Sequence, residues 1–471
     1  MKRIITLAVA FLTFAGLGAD AQDKVVKKAI ELGTTDNRTM YFEDYLSNVI
    51  GGRIVGSHNL EDAEKWVANQ FRSWGLDVVV QEVGEINVGF SRGPWSGRML
   101  SGEGMTLHFG TPSYTAGTKG PQVGHVVKEA ADARDFERRM ATFKGAWVLV
   151  GGASRGFPVD TASVPMFYQM IDAGALGFIQ AAEVPMQIHY DRKNCFNLTM
   201  DSLPKVCDIK LDKEQYDYIM AKVNRMEKVE LEFNIRNNFF EGPVKYHNIL
   251  GIIKGSKYPD EYVITGGHLD AYDSATGSVD DAQGVSVTME SARLLALSGA
   301  KPKRSIMFSI WTAEEYGLYG SKHFVESNMV PMNKVSNYFN RDAGPEVAVG
   351  VTVIPSMYDD FRKICEPLET LNEEFPFTVS KKESAPGPKP TTAGGSDHAY
   401  FAMNGVPTVS LDLKDVRGYN FNYREIWHTD KDLYNMVYPD YLEHSSIVNA
   451  VVVYGVANLD HLLSRDGLYS E

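Results

Sequence analysis

The stretch EYVITGGHLDAYDSATGSVDDAQGVSVTMESARLLALSG, residues 261–299, contains an apolar run, an acidic loop and an amphipathic segment, in that order. The run EYVITGG predicts a strand, and GVSVTMESARLLALSG predicts a helix with its apolar residues on one face. The loop between them holds one histidine and four acids: His268, Asp270, Asp273, Asp280 and Asp281. Such a loop is either solvated or holds a metal ion.

Further apolar runs lie on both sides of this stretch. NILGIIKG (248–255) and RSIMFSIWTA (304–313) predict two more strands. Continuous apolar strands that alternate with helices predict an α/β fold whose central sheet is covered by helices on both faces. In such sheets, the loops at the carboxyl ends of the strands carry the ligands.

The pattern of apolar residues and glycines changes in the middle part of the chain. Residues 60–74 have the apolar spacing of an amphipathic helix, and GLDVVVQEV (75–83) predicts a strand. Between about 100 and 240, glycine-interrupted β segments predict a separate inserted unit. The Pro-, Gly- and Lys-rich residues 381–395 predict a long loop, either a plain linker or part of a substrate rim.

Composition and the first residues limit the class of protein. A chain of 471 residues favours two structural units, and a net charge of −13 disfavours nucleic acid as a partner. The first residues, MKRIITLAVAFLTFAGLGADA, have the cations, apolar core and small-x-small site of a signal peptide cut after Ala21. No later stretch has the roughly 20 apolar residues needed to span a bilayer. We therefore predict an exported protein, periplasmic or extracellular.

The three cysteines do not predict a thiolate site. Cys195 and Cys207 are close enough in sequence to close a short loop in an oxidising compartment, which would leave Cys365 over. No Cys-x-x-Cys spacing is present. Whether Cys195 and Cys207 pair stays open at this stage.

The polar sites each have an ordinary explanation when taken singly. His268 could be a satisfied loop histidine, and Asp280 and Asp281 could cap the following helix. Glu314 and Glu315 in WTAEEYGLYGS suit a helix start. The remaining two sites could be a turn aspartate and a residue beside a capped helix: Asp342 in NYFNRDAGP and His428 in REIWHTDKDLYN.

Their combination favours a metal centre. Adjacent carboxylates are costly unless a cation or proton offsets their charge. Separate strand-end and loop sites supply enough nitrogen and oxygen donors for two metal ions, without cysteine. Two ions that share a carboxylate can activate a water and a carbonyl group, so the pattern indicates hydrolysis.

These motifs, in this order, resemble those of metallopeptidase family 28, the co-catalytic zinc exopeptidases, and within it the carboxypeptidase Q-like branch. The matching stretches are YPDEYVITGGHLDAYDSATGSVDDAQGV, RSIMFSIWTAEEYGLYGSKHF, NRDAGP, SDHAYFAMNGVPTVSL and WHTDKDLYN. The upstream GGRIVGSHNLEDAEKWVANQFRSWGLDV also resembles the opening segment of this family. The resemblance covers nearly the whole chain after the signal peptide.

The resemblance implies a role for each site residue. Two Zn²⁺ ions per chain would be bound, one by His268 and Asp342 and the other by Glu315 and His428. Asp280 would bridge them, with Asp281 across an often cis peptide bond. Asp270 would orient His268, Glu314 would be the general base, and Ser396, Asp397 and His398 would lie near the substrate pocket. Asp273 would belong only to the loop.

The resemblance also implies a domain organisation and an activity. Residues 22–100 and 241–471 would form the catalytic domain, a mixed central sheet with helices on both faces, and 101–240 an inserted β-rich domain similar to a protease-associated domain. The activity would be hydrolysis of peptide bonds near a free terminus. The alternatives are a single-zinc glutaminyl cyclase-like enzyme, which WHT (427–429) and YGS (319–321) also fit, and an inactive binding module. The terminus attacked, the side-chain preference, the native metal and the oligomeric state stay open.

Overall fold

The computed structural model describes residues 22–189 and 195–470. The predicted signal peptide, residues 1–21, lies outside the described residues. Within the part of the chain that is described, we find no helix with the length and apolar character needed to cross a membrane.

Within the described residues, fourteen strands form two sheets. They are β1 (Asp77–Met99), β2 (Met105–Thr106), β3 (Phe109–Gly110), β4 (Gln122–Lys128), β5 (Ala146–Ala153), β6 (Gly177–Ala182), β7 (Cys207–Asp212), β8 (Glu230–Ile253), β9 (Tyr258–His268), β10 (Arg304–Trp311), β11 (Val335–Asn340), β12 (Val347–Val353), β13 (Thr378–Lys381) and β14 (Leu411–Lys414).

The helices surround the larger sheet. They are α1 (22–35), α2 (Thr39–Asp44), α3 (His58–Ser73), α4 (Ala133–Arg139), α5 (Phe167–Asp172), α6 (Lys213–Asn224), α7 (Gln283–Leu297), α8 (Tyr319–Glu326), α9 (Tyr358–Cys365), α10 (His398–Met403), α11 (Tyr423–Ile426) and α12 (Pro439–Ala457). A π-helical segment, Tyr45–Ile50, precedes α3, and the segment Ser278–Ala282, in which Asp280 and Asp281 have non-helical φ and ψ angles, precedes α7.

The larger sheet is mixed, and helices cover both of its faces, as predicted. Its order is β11-β9-β10-β8-β4-β5-β6-β7-β3, with β1 paired to β8. β9 is parallel to β10 and β11, and β8 is antiparallel to β10. Along β10, Ile306, Phe308 and Ile310 pack in one hydrophobic cluster, and Met307 and Trp311 pack in another. Every residue of β10 is buried, because each face has its own helices.

The segment 101–240 adds strands to this sheet. β4 to β7 are mutually parallel and alternate with α4, α5 and α6, so the segment is an α/β arrangement more than a purely β-rich one. Its side chains form two large hydrophobic clusters and a small one of Ala182, Met186 and Ile188. β8 pairs with β4 near its start and with β10 near its end. The division of the chain into a catalytic and an inserted protease-associated-like domain stays a prediction.

The cysteines do not form the suggested short loop. Cys195 and Cys365 pack in the cluster that also contains residues of β9, β10 and α7, whereas Cys207 packs in a cluster of the segment 101–240. Burial raises the pKa of the Cys207 and Cys365 thiols to about 12. A Cys195–Cys207 disulfide is therefore not found within the described residues.

A fully buried arginine, Arg53, joins the residues before α3 to the acidic loop between β9 and α7. Arg53 lies between the π-helical segment and α3, and it is 0% exposed. Its guanidinium donates hydrogen bonds at 2.6 to 3.2 Å to the backbone carbonyls of Leu46, Gly51, Leu269, Thr276 and Gly277. Three of these carbonyls belong to the loop between β9 and α7, so Arg53 fixes the backbone of that loop.

We expect Arg53→Met to lower the free energy of unfolding by about 3 kcal/mol or more, since each buried carbonyl that loses its donor costs about 1–3 kcal/mol. Urea unfolding followed by tryptophan fluorescence measures this change. Arg72→Met, on the exposed surface of α3, is the matched control and should stay within about 0.5 kcal/mol of the parent. Equal losses for the two variants would contradict the role given to Arg53.

Candidate metal centre

The predicted site residues meet at one edge of the larger sheet. His268 is the last residue of β9, Glu314 and Glu315 follow β10, and Asp342 follows β11. Because β9, β10 and β11 are parallel, their carboxyl ends share an edge. Asp280 reaches this edge from the segment Ser278–Ala282 before α7, and His428 reaches it from the loop after α11.

The side chains form two groups that could each hold a metal ion. The first consists of His268, Glu314 and Asp342, and the second of Asp280, Glu315 and His428. Within each group, the possible ligand atoms all lie within 4.8 Å of one another. The first group contains Glu314, to which the resemblance gives the role of base and not of ligand.

Asp280 lies between the two groups. Its Oδ1 is 3.1 Å from Nε2 of His268, and its Oδ2 is 3.4 Å from Nε2 of His428. Nε2 of His428 is also 3.0 Å from Oε2 of Glu315, and Nε2 of His268 is 3.9 Å from Oδ2 of Asp342. Each carboxylate oxygen of Asp280 therefore faces a different histidine, as a bridging ligand requires.

Asp270 contacts the site through both its backbone carbonyl and its carboxylate. Its backbone carbonyl is 2.8 Å from Nδ1 of His268, which leaves Nε2 of that ring for a metal ion. Its carboxylate is 3.9 Å from the same Nδ1 and instead accepts hydrogen bonds from the backbone amides of Glu314 (3.0 Å) and Glu315 (3.1 Å). Asp270 thus orients His268 through its carbonyl and fixes the two glutamates through its side chain.

The carboxylate of Asp281 stabilises the loop between β9 and α7. The Asp280–Asp281 peptide bond is cis, as the resemblance implied. The Asp281 carboxylate accepts hydrogen bonds from the backbone amides of His268 and Gly284, both at 3.2 Å. A Cβ atom on Gly267 or Gly284 would overlap this carboxylate, so the glycines of the motif make room for it.

Two residues near the centre have roles that the sequence did not predict. Asp432 accepts hydrogen bonds from the backbone amides of Val279 (2.6 Å) and Asp280 (3.3 Å) and so fixes the backbone at Asp280. Asp273 is not a solvated loop residue, because it is buried and its Oδ1 lies 2.8 Å from Arg92. The two acids in WHTDKD could have indicated a role for Asp432 at the site. No spacing in the sequence indicates that Asp273 contacts Arg92.

The buried carboxyls shift one another electrostatically. Burial raises the pKa of Glu315 to about 7 and raises the pKa of Asp342 and, more strongly, of Asp281. Burial lowers the pKa of His428, but Glu315 and Asp280 outweigh it and raise that pKa to about 9. Several carboxyl groups are thus buried close together, and a divalent cation would offset their charge in the ionised state.

The residues present fit such a cation. Oδ2 of Asp280 is buried and has no hydrogen-bond partner among the described residues, although it points to the second group. The donors are imidazole nitrogens and carboxylate oxygens, which suit zinc and related ions. The three cysteines lie in hydrophobic clusters and do not belong to either group.

A cleft opens over the two groups. It has a volume of about 380 Å³, and a second cleft of about 570 Å³ shares Asp342, Gly395 and Tyr423 with it. Residues 381–395, predicted as a long loop, are exposed; Lys381 is the last residue of β13, and residues 393–395 line the first cleft, so this loop is part of the rim. Ser396 and His398 line the second cleft.

The sequence of the chain is similar to those of known peptidases. Residues 248–453 match the model of peptidase family M28. Carboxypeptidase Q of Mus musculus is 25% identical over 456 residues, which cover 94% of this chain and 91% of that protein. Carboxypeptidase Q of Bos taurus is 26% identical over 452 residues, covering 94% and 90%.

Solved structures show the same fold. A peptidase M28 precursor from Shewanella amazonensis has a TM-score of 0.61 at 20% identity and covers 94% of this chain and 98% of that one. A zinc aminopeptidase from Bacillus subtilis has a TM-score of 0.55 at 18% identity, covering 92% and 97%. The chain is a metallo-exopeptidase that is similar to peptidase family M28 over residues 248–453 and to carboxypeptidase Q over most of its length.

Proposed function

We propose that the protein is an exported di-zinc exopeptidase that cleaves peptide bonds near a free terminus of peptides or dipeptides. The observation that carries this proposal is the position of Asp280, which directs one oxygen to each of two groups of ligands. Export rests on the predicted signal peptide, and the N-terminal residue of the mature protein from the periplasm or the medium would test it.

The metal ligands would divide between two ions. His268 and Asp342 would bind one ion and Glu315 and His428 the other, with Asp280 shared. The chemistry that such ions supply when bound is Lewis acidity toward a peptide carbonyl and a water molecule. The protein's own part is to keep the ligands in place through Asp270, Asp281 and Asp432, described above.

Glu314 is the residue best placed to move protons. It lines the cleft over the two groups, and its backbone amide is fixed by Asp270. Burial, with Glu315 and Asp397 nearby, raises the pKa of Glu314 well above its usual value. A carboxyl with a raised pKa can take a proton from water and return it to the leaving amine at neutral pH.

The charges of the clefts favour a substrate with a free α-amino group. Among the described residues that line the two clefts, Arg341 is the only arginine or lysine, and it is 3% exposed. Carboxylates line both clefts, and Glu346 lies in the larger one. Glu346, which has no role at the proposed metal centre, could accept a hydrogen bond from an ammonium group, whereas the one guanidinium of the lining is buried; this supports action on substrates with a free α-amino group.

We expect Glu314→Gln to lower kcat for an unblocked dipeptide by about 100- to 10,000-fold, the usual contribution of a general base, while the zinc content stays at that of the parent. Stopped assays with metal analysis measure both quantities. Glu326→Gln, on the exposed side of α8, is the matched control and should change neither. If Glu314→Gln loses zinc, Glu314 is a ligand and not the base.

Removal of the metal should abolish hydrolysis, and activity should return as two equivalents of Zn²⁺ per chain are added, because both groups are needed. A digest of peptides blocked or unblocked at each end, with and without chelator, measures this and identifies the terminus that must be free. A single bound zinc with cyclisation of N-terminal glutamine would favour the glutaminyl cyclase alternative. Zinc binding without any turnover, unaffected by Glu314→Gln, would favour a binding module.

A further inference from the structure

The two histidines of the centre are held in different ways. Nδ1 of His268 has a hydrogen-bond partner in the carbonyl of Asp270, at 2.8 Å. Nδ1 of His428 is buried and has no such partner among the described residues. Metal-binding histidines usually depend on that second hydrogen bond for their orientation. The ring of His428 must therefore be oriented by other contacts.

Aromatic packing and the backbone supply those contacts. The ring of Trp427 stacks on that of His428 with centroids 3.9 Å apart, and the ring of Tyr272 lies at 4.1 Å. The ring of His189 meets that of His428 edge-on at 5.2 Å. His428 also has a φ of +57°, a conformation that a residue with a side chain keeps only when its surroundings impose it.

The segment 101–240 binds the backbone beside His428. The amide of Ile188 donates to the carbonyl of His428 at 3.2 Å, and the amide of Asp430 donates to the carbonyl of Met186 at 3.1 Å. Gln187 and Thr429 form an antiparallel bridge between these bonds. A short strand-like contact thus joins the segment 101–240 to the loop that carries a metal ligand.

The side chain of Asp430 reinforces this contact with both of its oxygens. Oδ1 accepts a hydrogen bond from the amide of Met186 at 2.8 Å, and Oδ2 lies 2.8 Å from Nε2 of His108. His108 is half exposed, and its other ring nitrogen is 3.7 Å from Asp212. Met186, His108 and Asp212 all belong to the segment 101–240, so Asp430 joins that segment to the His428 loop.

We infer that Asp430 is a positioning residue for His428 and that, through Met186 and His108, the segment 101–240 sets the affinity of the group Asp280, Glu315 and His428 for its metal ion. The ion held by His268 and Asp342 does not depend on this contact, because those residues follow β9 and β11 and His268 is fixed by Asp270. The inference rests on the proposed di-zinc centre.

The test is Zn²⁺ binding to the full chain after chelator treatment, followed by competition with a chromophoric chelator. The parent is expected to bind two Zn²⁺ ions. Asp430→Ala should weaken one of them by about 10- to 100-fold, the usual effect of losing an outer contact to a metal ligand, and leave the other unchanged. Asp430→Asn can still accept from Met186 and face His108, so its affinities should remain close to those of the parent.

His108→Ala tests the same contact at a half-exposed position, where loss of the fold is not expected. It should weaken the binding of the same ion as Asp430→Ala does. In a Glu315→Gln background, where that ion has already lost a ligand, His108→Ala should cause no further loss of affinity. His125→Ala is the matched control, because His125 is a partly exposed histidine of the same segment whose ring bonds to the carbonyl of Thr142 and not to the His428 loop. Thermal unfolding with chelator present verifies that each variant is folded.

The outcomes separate this inference from the proposed function. A parent chain that binds fewer than two Zn²⁺ ions overturns the proposed di-zinc centre. A parent with two ions, together with His108→Ala and folded Asp430→Ala variants of unchanged affinity, overturns only the role of Asp430. An equal loss at both sites also overturns it, since the effect would then be a general destabilisation.

Discussion

Buried negative charge at one edge of the sheet is the constraint on which the rest of the centre depends. Asp270, Asp280, Asp281 and Glu315 are each at most 6% exposed, and two histidines are the nearest groups that can balance them. Such a concentration of carboxylates is costly unless each oxygen has a hydrogen-bond donor or a cation. The structure provides donors for Asp270 and Asp281 from backbone amides and leaves Asp280 directed between the two ligand groups.

The strands and the candidate ligands of the centre could be predicted from the sequence, because the residues that indicate each of them are close to it along the chain. Each ligand directly follows an apolar run or lies in a short polar loop, and the runs are buried on both faces of the sheet. The resemblance added which acid bridges and which is the base. The structure brings all of these residues to one edge, and their individual roles remain part of the proposal.

What could not be predicted depends on contacts between distant residues. Arg53 binds carbonyls more than 200 positions away, and Asp273 pairs with Arg92 across 181 positions. β1 and β8 are much longer than the apolar runs that predicted them, because their further parts pair with each other as a ribbon. Neither a long-range backbone hydrogen bond nor a ribbon of mixed composition leaves a periodic pattern in one sequence.

The ribbon of β1 and β8 has a consequence for how this protein could vary. Its register runs from Asp77 opposite Ile252 to Met99 opposite Leu231, so the two ends of the segment between them are already adjacent. Closing a longer or shorter chain between adjacent ends changes the loop-closure entropy by only about 0.6 kcal/mol per doubling of length. Changes in the length of the exposed loops of that segment are therefore thermodynamically cheap, whereas β4 to β7 belong to the sheet itself and His108 and residues 186–189 contact the loop of His428.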